Sequence, residues 1–241
     1  MTTDDRTQEL HEHLDVVRAR VDAACAVAGR DPSDVTLIVV SKTWPVEDVR
    51  RLAALGVRDF GENRDQEAAP KAEATADLGL RWHFVGQLQS NKANSVARYA
   101  DLVHSVDRLS LVTALDRGAS KAGRRVGCLI EVDLAGQVEA RGGARPELVP
   151  ELAAQVAASD HLLLQGVMAV APLAAAGESQ AEVSAHAFAR LAEVSERLRQ
   201  DHPDATLISA GMSEDLEQAV SAGATHLRVG SAVLGTRPPL G

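Results

Sequence analysis

Aromatic side chains are scarce in this chain: two Trp, one Tyr and three Phe make up 2% of 241 residues. That is too few for a platform on which the bases of a single-stranded nucleic acid could stack. It also leaves the core to Val, Leu, Ile and Ala. Cysteine is nearly absent. Cys25 and Cys128 lie far apart with no CxxC spacing, which excludes a disulfide framework and the usual zinc patterns, so each reads as a buried free thiol in a reducing compartment. No apolar run approaches the length of a membrane span. The opening Met1-Thr2-Thr3-Asp4-Asp5 is polar and acidic, unlike a signal peptide. A cytoplasmic protein with no membrane partner is expected. HExxH, Walker, GxSxG and GxGxxG motifs are all missing. There is no run of five or six like charges, and a net charge of −9 repels a phosphate backbone, so nucleic acid is not an expected partner. With no linker rich in Gly, Pro or Ser, no repeat and no low-complexity tract, residues 1–241 read as a single domain.

What is present is an ordinary soluble balance, 45% hydrophobic and 24% charged, at a length suited to an α/β barrel. Residues 6–28 read as an amphipathic helix, with residues 1–5 left without order. Leu10, Leu14, Val17, Val21, Ala24 and Ala28 recur at helical spacing, and Gly29 and Pro32 stop the helix. Short β-branched runs then alternate with helical stretches. Strands are expected at 35–40, 57–60, 81–85, 102–105, 127–133, 162–170, 206–209 and 226–229. Helices are expected at 47–55, 63–76, 90–99, 109–122, 147–158, 181–200 and 214–222, with a short closing one after Ser231. Continuous apolar runs such as Thr36-Leu37-Ile38-Val39-Val40 suit a parallel sheet buried on both faces. A doubly wound open sheet would alternate similarly; the count of eight strands favours a (β/α)8 barrel with an extra N-terminal helix. Residues 172–177 read as the loop after the sixth strand.

The working face of such a barrel lies at the C-terminal ends of its strands. Strand one ends in Ser41-Lys42-Thr43. An amine there, against an apolar wall, would be available for Schiff-base chemistry; a lysine snorkelling to solvent is the plain alternative. Strand seven runs into Ser209-Ala210-Gly211-Met212-Ser213 and strand eight into Val229-Gly230-Ser231, each before a helix. Free N–H groups, glycine and serine hydroxyls at a helix start favour a phosphate, although such serines can also be simple caps. Closure would set strand eight beside strand one. Arg228 can point into the mouth, where a guanidinium facing a pyridine nitrogen would leave that nitrogen unprotonated, or form an ordinary ion pair. Asn63, after strand two, can bond a ligand hydroxyl or cap the next helix. His83, His104 and His226 lie in strands without metal-ligand spacing and read as core or wall residues.

At these residues the chain resembles the pyridoxal phosphate homeostasis protein family, the proline synthetase co-transcribed type. The matching strings are Val40-Ser41-Lys42-Thr43, Phe60-Gly61-Glu62-Asn63 and Trp82-His83-Phe84-Val85-Gly86-Gln87-Leu88-Gln89-Ser90-Asn91-Lys92. Val106-Asp107, Arg141-Gly142-Gly143, Gly166-Val167-Met168-Ala169, Gly211-Met212-Ser213 and Arg228-Val229-Gly230-Ser231 follow in order. The resemblance covers nearly everything after the first helix. It implies a fold-type III barrel like the N-terminal domain of alanine racemase, with pyridoxal 5′-phosphate (PLP) as cofactor. Lys42 would be the Schiff-base lysine; Ser209, Gly230 and Ser231 would hold the phosphate. Gly211 and Met212 would line the site, Arg228 would face the ring nitrogen and Asn63 would sit beside the cofactor. Arg64, Ala210 and Arg141 depart from the residues more usual at their positions, but leave this binding set intact.

The implied role is intracellular PLP (vitamin B6) homeostasis without robust catalysis; a monomer is expected, with PLP and PLP-dependent apoenzymes as the candidate partners. A racemase would need a second base on the opposite face of the cofactor, and the only tyrosine, Tyr99, falls at a predicted helix end away from the mouth. A PLP-dependent amino-acid racemase or decarboxylase is the alternative, and a cofactor-free Schiff-base aldolase, which would be colourless, the third reading.

Overall fold

In a computed structural model, which describes residues 3–135 and 142–236, the apolar runs become the staves of a closed parallel barrel. β1 (Thr36–Val40), β2 (Asp59–Glu62), β3 (Arg81–Phe84), β4 (Leu102–Val106), β5 (Val126–Glu131), β6 (Leu162–Met168), β7 (Leu207–Ser209) and β8 (His226–Val229) pair in sequence order. β8 closes on β1 with Leu37 level with Leu227 and Val39 with Val229. The expected (β/α)8 class is therefore the observed one. Around the barrel run α1 (Thr3–Ala28), α2 (Val46–Ala54), α3 (Asp65–Ala74), α4 (Ala93–Tyr99), α5 (Leu109–Ala122), α6 (Val149–Ala157), α7 (Gln180–Asp201), α8 (Leu216–Ser221) and α9 (Ser231–Leu234).

Strand side chains alternate between helices and lumen. The outward set (Val39, Phe60, Trp82, Val103, Ile130, Val167 and Val229) joins the helix faces in one apolar core. The inward set differs in kind. It holds a small apolar cluster of Leu102, Leu129 and Met168, beside buried His83, His104, Ser209 and Arg228. On α1 the predicted stripe is the buried one: Leu10, Leu14, Val17, Val21 and Ala24 are at most 6% exposed. Each full burial of a Leu or Val side chain contributes about 1.5–3 kcal/mol. Arg6 to Asp48 and Arg20 to Glu217 tie that helix to α2 and α8. The helix begins at Thr3, so Thr3 to Asp5, expected to lack order, are helical. An acidic residue such as Asp5 suits the positive end of the helix dipole.

Several other boundaries differ from the sequence reading by one to three residues. β2 starts two residues late and runs on through Gly61 to Glu62, whose charge finds in Lys71 a buried partner that a propensity reading cannot supply. Residues 90–92 form a 3-10 turn ahead of α4, and residues 146–148 another ahead of α6. Residues 172–177 form a loop, as expected. Cys25 and Cys128 are buried free thiols.

Candidate functional site

The turn after β1 is clamped on both sides. Ser41 is fully buried; its N–H donates to the Gly61 carbonyl at 2.9 Å and its hydroxyl to Glu62 Oε1 at 2.8 Å. Lys71 Nζ, from α3, donates to the Ser41 carbonyl at 2.8 Å and pairs with Glu62 Oε1 at 2.6 Å. On the far side the Thr43 N–H donates to Glu67 Oε2 at 2.7 Å. Thr43 adopts a φ of 68°, the only positive φ at a described non-glycine residue, a strained conformation for a β-branched side chain. This clamp fixes the Lys42 backbone and leaves its side chain exposed. Among the described residues no hydrogen bond or ion pair takes up its amine. Val40, Val85, Leu173 and Met212 line the same cavity as Lys42. Sequence reasoning missed Glu62 and Lys71, whose apposition depends on α3 folding back over β2.

Asn63 follows β2 with its Oδ1 buried and without a hydrogen-bond partner. Gly86 lets the chain after β3 pass close over it: a Cβ there would stand 2.3 Å from the Asn63 carbonyl oxygen. At the β7 corner, Gly211 has a φ of 86°, and a Cβ on it would lie 2.5 Å from Ala219 Cβ on α8. The Met212 N–H donates to buried Asp215 Oδ1 at 2.7 Å, and Asp215 Oδ2 accepts from Ser184 on α7. The β7 and β8 corners touch, since Ser213 Oγ lies 3.4 Å from Ser231 Oγ and accepts from the Ala232 N–H. The N–H groups of Ser213, Glu214 and Ser231 donate to no protein acceptor among the described residues.

These elements surround a cavity of about 550 Å³ at the C-terminal ends of the strands. Its lining includes Lys42, Asn63, Met212, Arg228, Gly230 and Ser231. Two of the eight residues expected there are elsewhere. Gly211 packs against α8, and Ser209 is fully buried one layer below, where its hydroxyl meets Arg228 Nη1 at 2.6 Å and His104 Nδ1 at 2.9 Å. The β7 pleat turns Ser209 into the lumen rather than toward the mouth. Arg228 also donates to the Ala169 carbonyl at 2.9 Å. Burial pulls its guanidinium down to about 10, against the opposing charges of Glu131 and Asp215, so it stays protonated at neutral pH. A cavity of about 540 Å³ lies at the other end of the barrel under α1, but no lysine and no helix corner of β7 or β8 lines it.

His83 and His104 are buried in the lumen and His226 largely so, and no group of three or more His, Cys, Asp or Glu among the described residues is arranged to hold a metal. Tyr99 donates to Asp65 on the outer helix layer and does not line the mouth. Arg141 lies outside the described residues. No described helix is long and apolar enough to cross a membrane.

The sequence profile of the alanine racemase N-terminal domain matches residues 13–238. A pyridoxal phosphate homeostasis protein of Mycobacterium leprae is 41% identical over 96% of this chain and 94% of its own. The solved structure of PipY from Synechococcus elongatus with PLP bound superposes with a TM-score of 0.79 at 34% identity, covering 94% of this chain and 100% of that one. A Bifidobacterium adolescentis protein described as unknown superposes with a TM-score of 0.87 at 29% identity, covering 97% of both chains.

Proposed function

Because this chain belongs to the pyridoxal phosphate homeostasis proteins, a family built on the alanine racemase N-terminal domain, we propose that its mouth cavity binds PLP through Lys42 and that it buffers or supplies the cofactor. One observation carries the reading: an exposed amine, an unpartnered buried amide oxygen and a pair of joined serine corners converge on one cavity above a buried cation. The residues fit the group's chemistry. The Asn63 oxygen lacks a donor that a ring hydroxyl could supply. The Ser213 and Ser231 hydroxyls, with the free N–H groups beside them and Gly230, suit a dianionic phosphate. When bound, PLP supplies an aldehyde that condenses with a primary amine and a ring that can withdraw electrons. Lys42 offers the amine at the end of a clamped turn. Arg228 keeps its proton and can only donate to a ring nitrogen, which weakens the ring as an electron sink and favours holding over turnover. Ser209 acts on Arg228 instead of the phosphate.

The protein would work as a monomer in a reducing cytoplasm, where Cys25 and Cys128 stay thiols, with PLP-dependent apoenzymes as recipients. The mouth lining contains no tyrosine to serve as an opposed base.

The test is an absorbance spectrum of the purified chain with PLP, followed by borohydride trapping and peptide mapping. A yellow protein with the adduct on Lys42 is expected. Lys42→Ala should lose both while unfolding within about 0.5 kcal/mol of the native chain, since its side chain is exposed. An adduct on any other lysine overturns the site, and sustained turnover of D- or L-amino acids that Lys42→Ala abolishes overturns the carrier role.

A further inference from the structure

Inside the barrel four buried side chains link one end of the lumen to the other. Asp59 Oδ1 lies 2.9 Å from His83 Nε2, His83 Nδ1 3.0 Å from His104 Nε2, and His104 Nδ1 2.9 Å from Ser209 Oγ. Ser209 Oγ meets Arg228 Nη1 at 2.6 Å. We propose that Asp59, His83, His104 and Ser209 form a one-way hydrogen-bond chain that positions the Arg228 guanidinium at the floor of the mouth cavity, and that this chain braces the cation without conducting a proton.

Its direction follows from its ends. A guanidinium has no acceptor, so Arg228 donates to Ser209; an ionised carboxylate has no proton, so Asp59 accepts from His83 Nε2–H. A neutral His83 then has a bare Nδ1, which takes the proton of His104 Nε2. A neutral His104 has in turn a bare Nδ1, which takes the Ser209 hydroxyl proton. Every link holds one proton and neither imidazole carries charge. The reverse order would leave His83 Nε2 bare against the Asp59 carboxylate unless His83 were charged. Complete burial disfavours a charge on His104. Burial acts to raise the Asp59 carboxyl, but the hydrogen bonds of His83 and Arg81 and the charges beside it together hold it below its ordinary range, so the acceptor end stays ionised. His226 packs within 6.1 Å of His83 and 6.4 Å of His104, ring centre to ring centre, but bonds Thr225 Oγ1 and is not a link.

Why the chain braces rather than conducts is a matter of its upper end. Passing a proton along it would require Arg228 to release one, which a guanidinium does not do at neutral pH. What remains is a strut from the N-terminal face to the pocket floor. The orientation of Arg228 would therefore depend on residues that never touch a ligand. Its bearing on the cofactor rests on the proposed PLP site; the chain itself does not.

The chain can be read without cofactor. Long-range proton–nitrogen NMR spectra of the full-length protein labelled with ¹⁵N-histidine, without PLP at pH 7, should show His83 and His104 both neutral and both protonated at Nε2. A charged His83, or an Nδ1-protonated His104, overturns the chain. A second readout uses the visible band of the PLP-loaded protein. Ser209→Ala and His104→Phe should weaken PLP binding roughly tenfold, as expected for loss of one hydrogen bond to a charged group, and shift the pH midpoint of the band. Ser209→Thr, which keeps the hydroxyl, should restore both. Native affinity and an unmoved midpoint in Ser209→Ala overturn the positioning role, whether or not His104→Phe folds. Failure of the native chain to bind PLP would defeat the proposed function while leaving the tautomer result to stand by itself.

Discussion

Lys42 and Lys71 serve the same turn in opposite ways. Lys71 is buried against Glu62 and the Ser41 carbonyl, and removing either charge alone would strand the other in a dry site. Among the described residues Lys42 is held only through its backbone, and its side chain is exposed. A third charged residue, Glu131 at the end of β5, has a different fate. Burial first, then the negative charge of Asp107, push its carboxyl up to about 7, although Arg228 opposes and Asp133 adds. A group whose folded pKa is raised stabilises fully below its ordinary pKa of 4.5, and that stability is lost as pH rises through about 7. Glu131→Gln removes the titration. Urea unfolding should then find the variant close to native at pH 4.5 and more stable by about 1–3 kcal/mol at pH 8.5; the same difference at both pH values would refute the burial argument. At this scale the placement of Lys42 at the barrel mouth was legible, because it directly follows an apolar strand. Glu131 was not, because its perturbers come from other strands. Ser209 lies one layer below the cavity lining, which could not be foreseen because a three-residue strand hides which way its pleat faces.

Elements were legible in proportion to how local their causes are. β1 reads directly as Thr36-Leu37-Ile38-Val39-Val40, and α5 matches its predicted bounds because the apolar stripe ends at Gly123, whose φ of 62° closes the helix. β2 was shifted because Gly61 and Glu62 look like loop residues until Lys71 is beside Glu62. The corner after β7 shows the same limit. Gly211 was expected to line the ligand site, but its role is to let the corner turn sharply onto α8. That difference makes a prediction about the element. In Gly211→Ala the side chain meets both a left-handed backbone and Ala219, so a loss of about 2–4 kcal/mol is expected from the two penalties together. Because Met212 and Ser213 ride on the same corner, PLP affinity should fall with stability. Thermal melts and PLP titrations check both. An unchanged Tm would show that α8 yields, and native affinity in a destabilised variant would show that the corner does not grip the ligand.

For the whole molecule, eight strands with crossover helices were enough to foresee barrel closure. The contents of the lumen were not foreseeable. Asp59, His83 and His104 sit on three successive strands, and whether they come level depends on the stagger of the closed barrel, which no single strand's sequence encodes. The histidines could be read only as core or wall. Their burial now sets how the molecule should respond to acid. His226 is pulled down to about 4 and His104 well below 6.5, in each case chiefly by burial. For groups with lowered folded values, the unfolded chain takes up protons first, so their stability is present above about 6.5 and drains as pH falls. Glu131 works against this, gaining stability on acidification from about 7 to 4.5. The Glu131 and His226 spans are similar in size and opposite in sign, so they nearly cancel between pH 7 and 4.5, and the fully buried His104 decides the direction. The native chain should lose stability gently over that range. Glu131→Gln should lose it more steeply, by an extra amount on the order of 1–3 kcal/mol, because the opposing group has gone. Denaturant unfolding at pH 7 and 4.5 measures both slopes. If Glu131→Gln proves as stable at pH 4.5 as at pH 7, the buried histidines do not resist protonation, and the neutral lumen on which the chain to Arg228 depends does not exist.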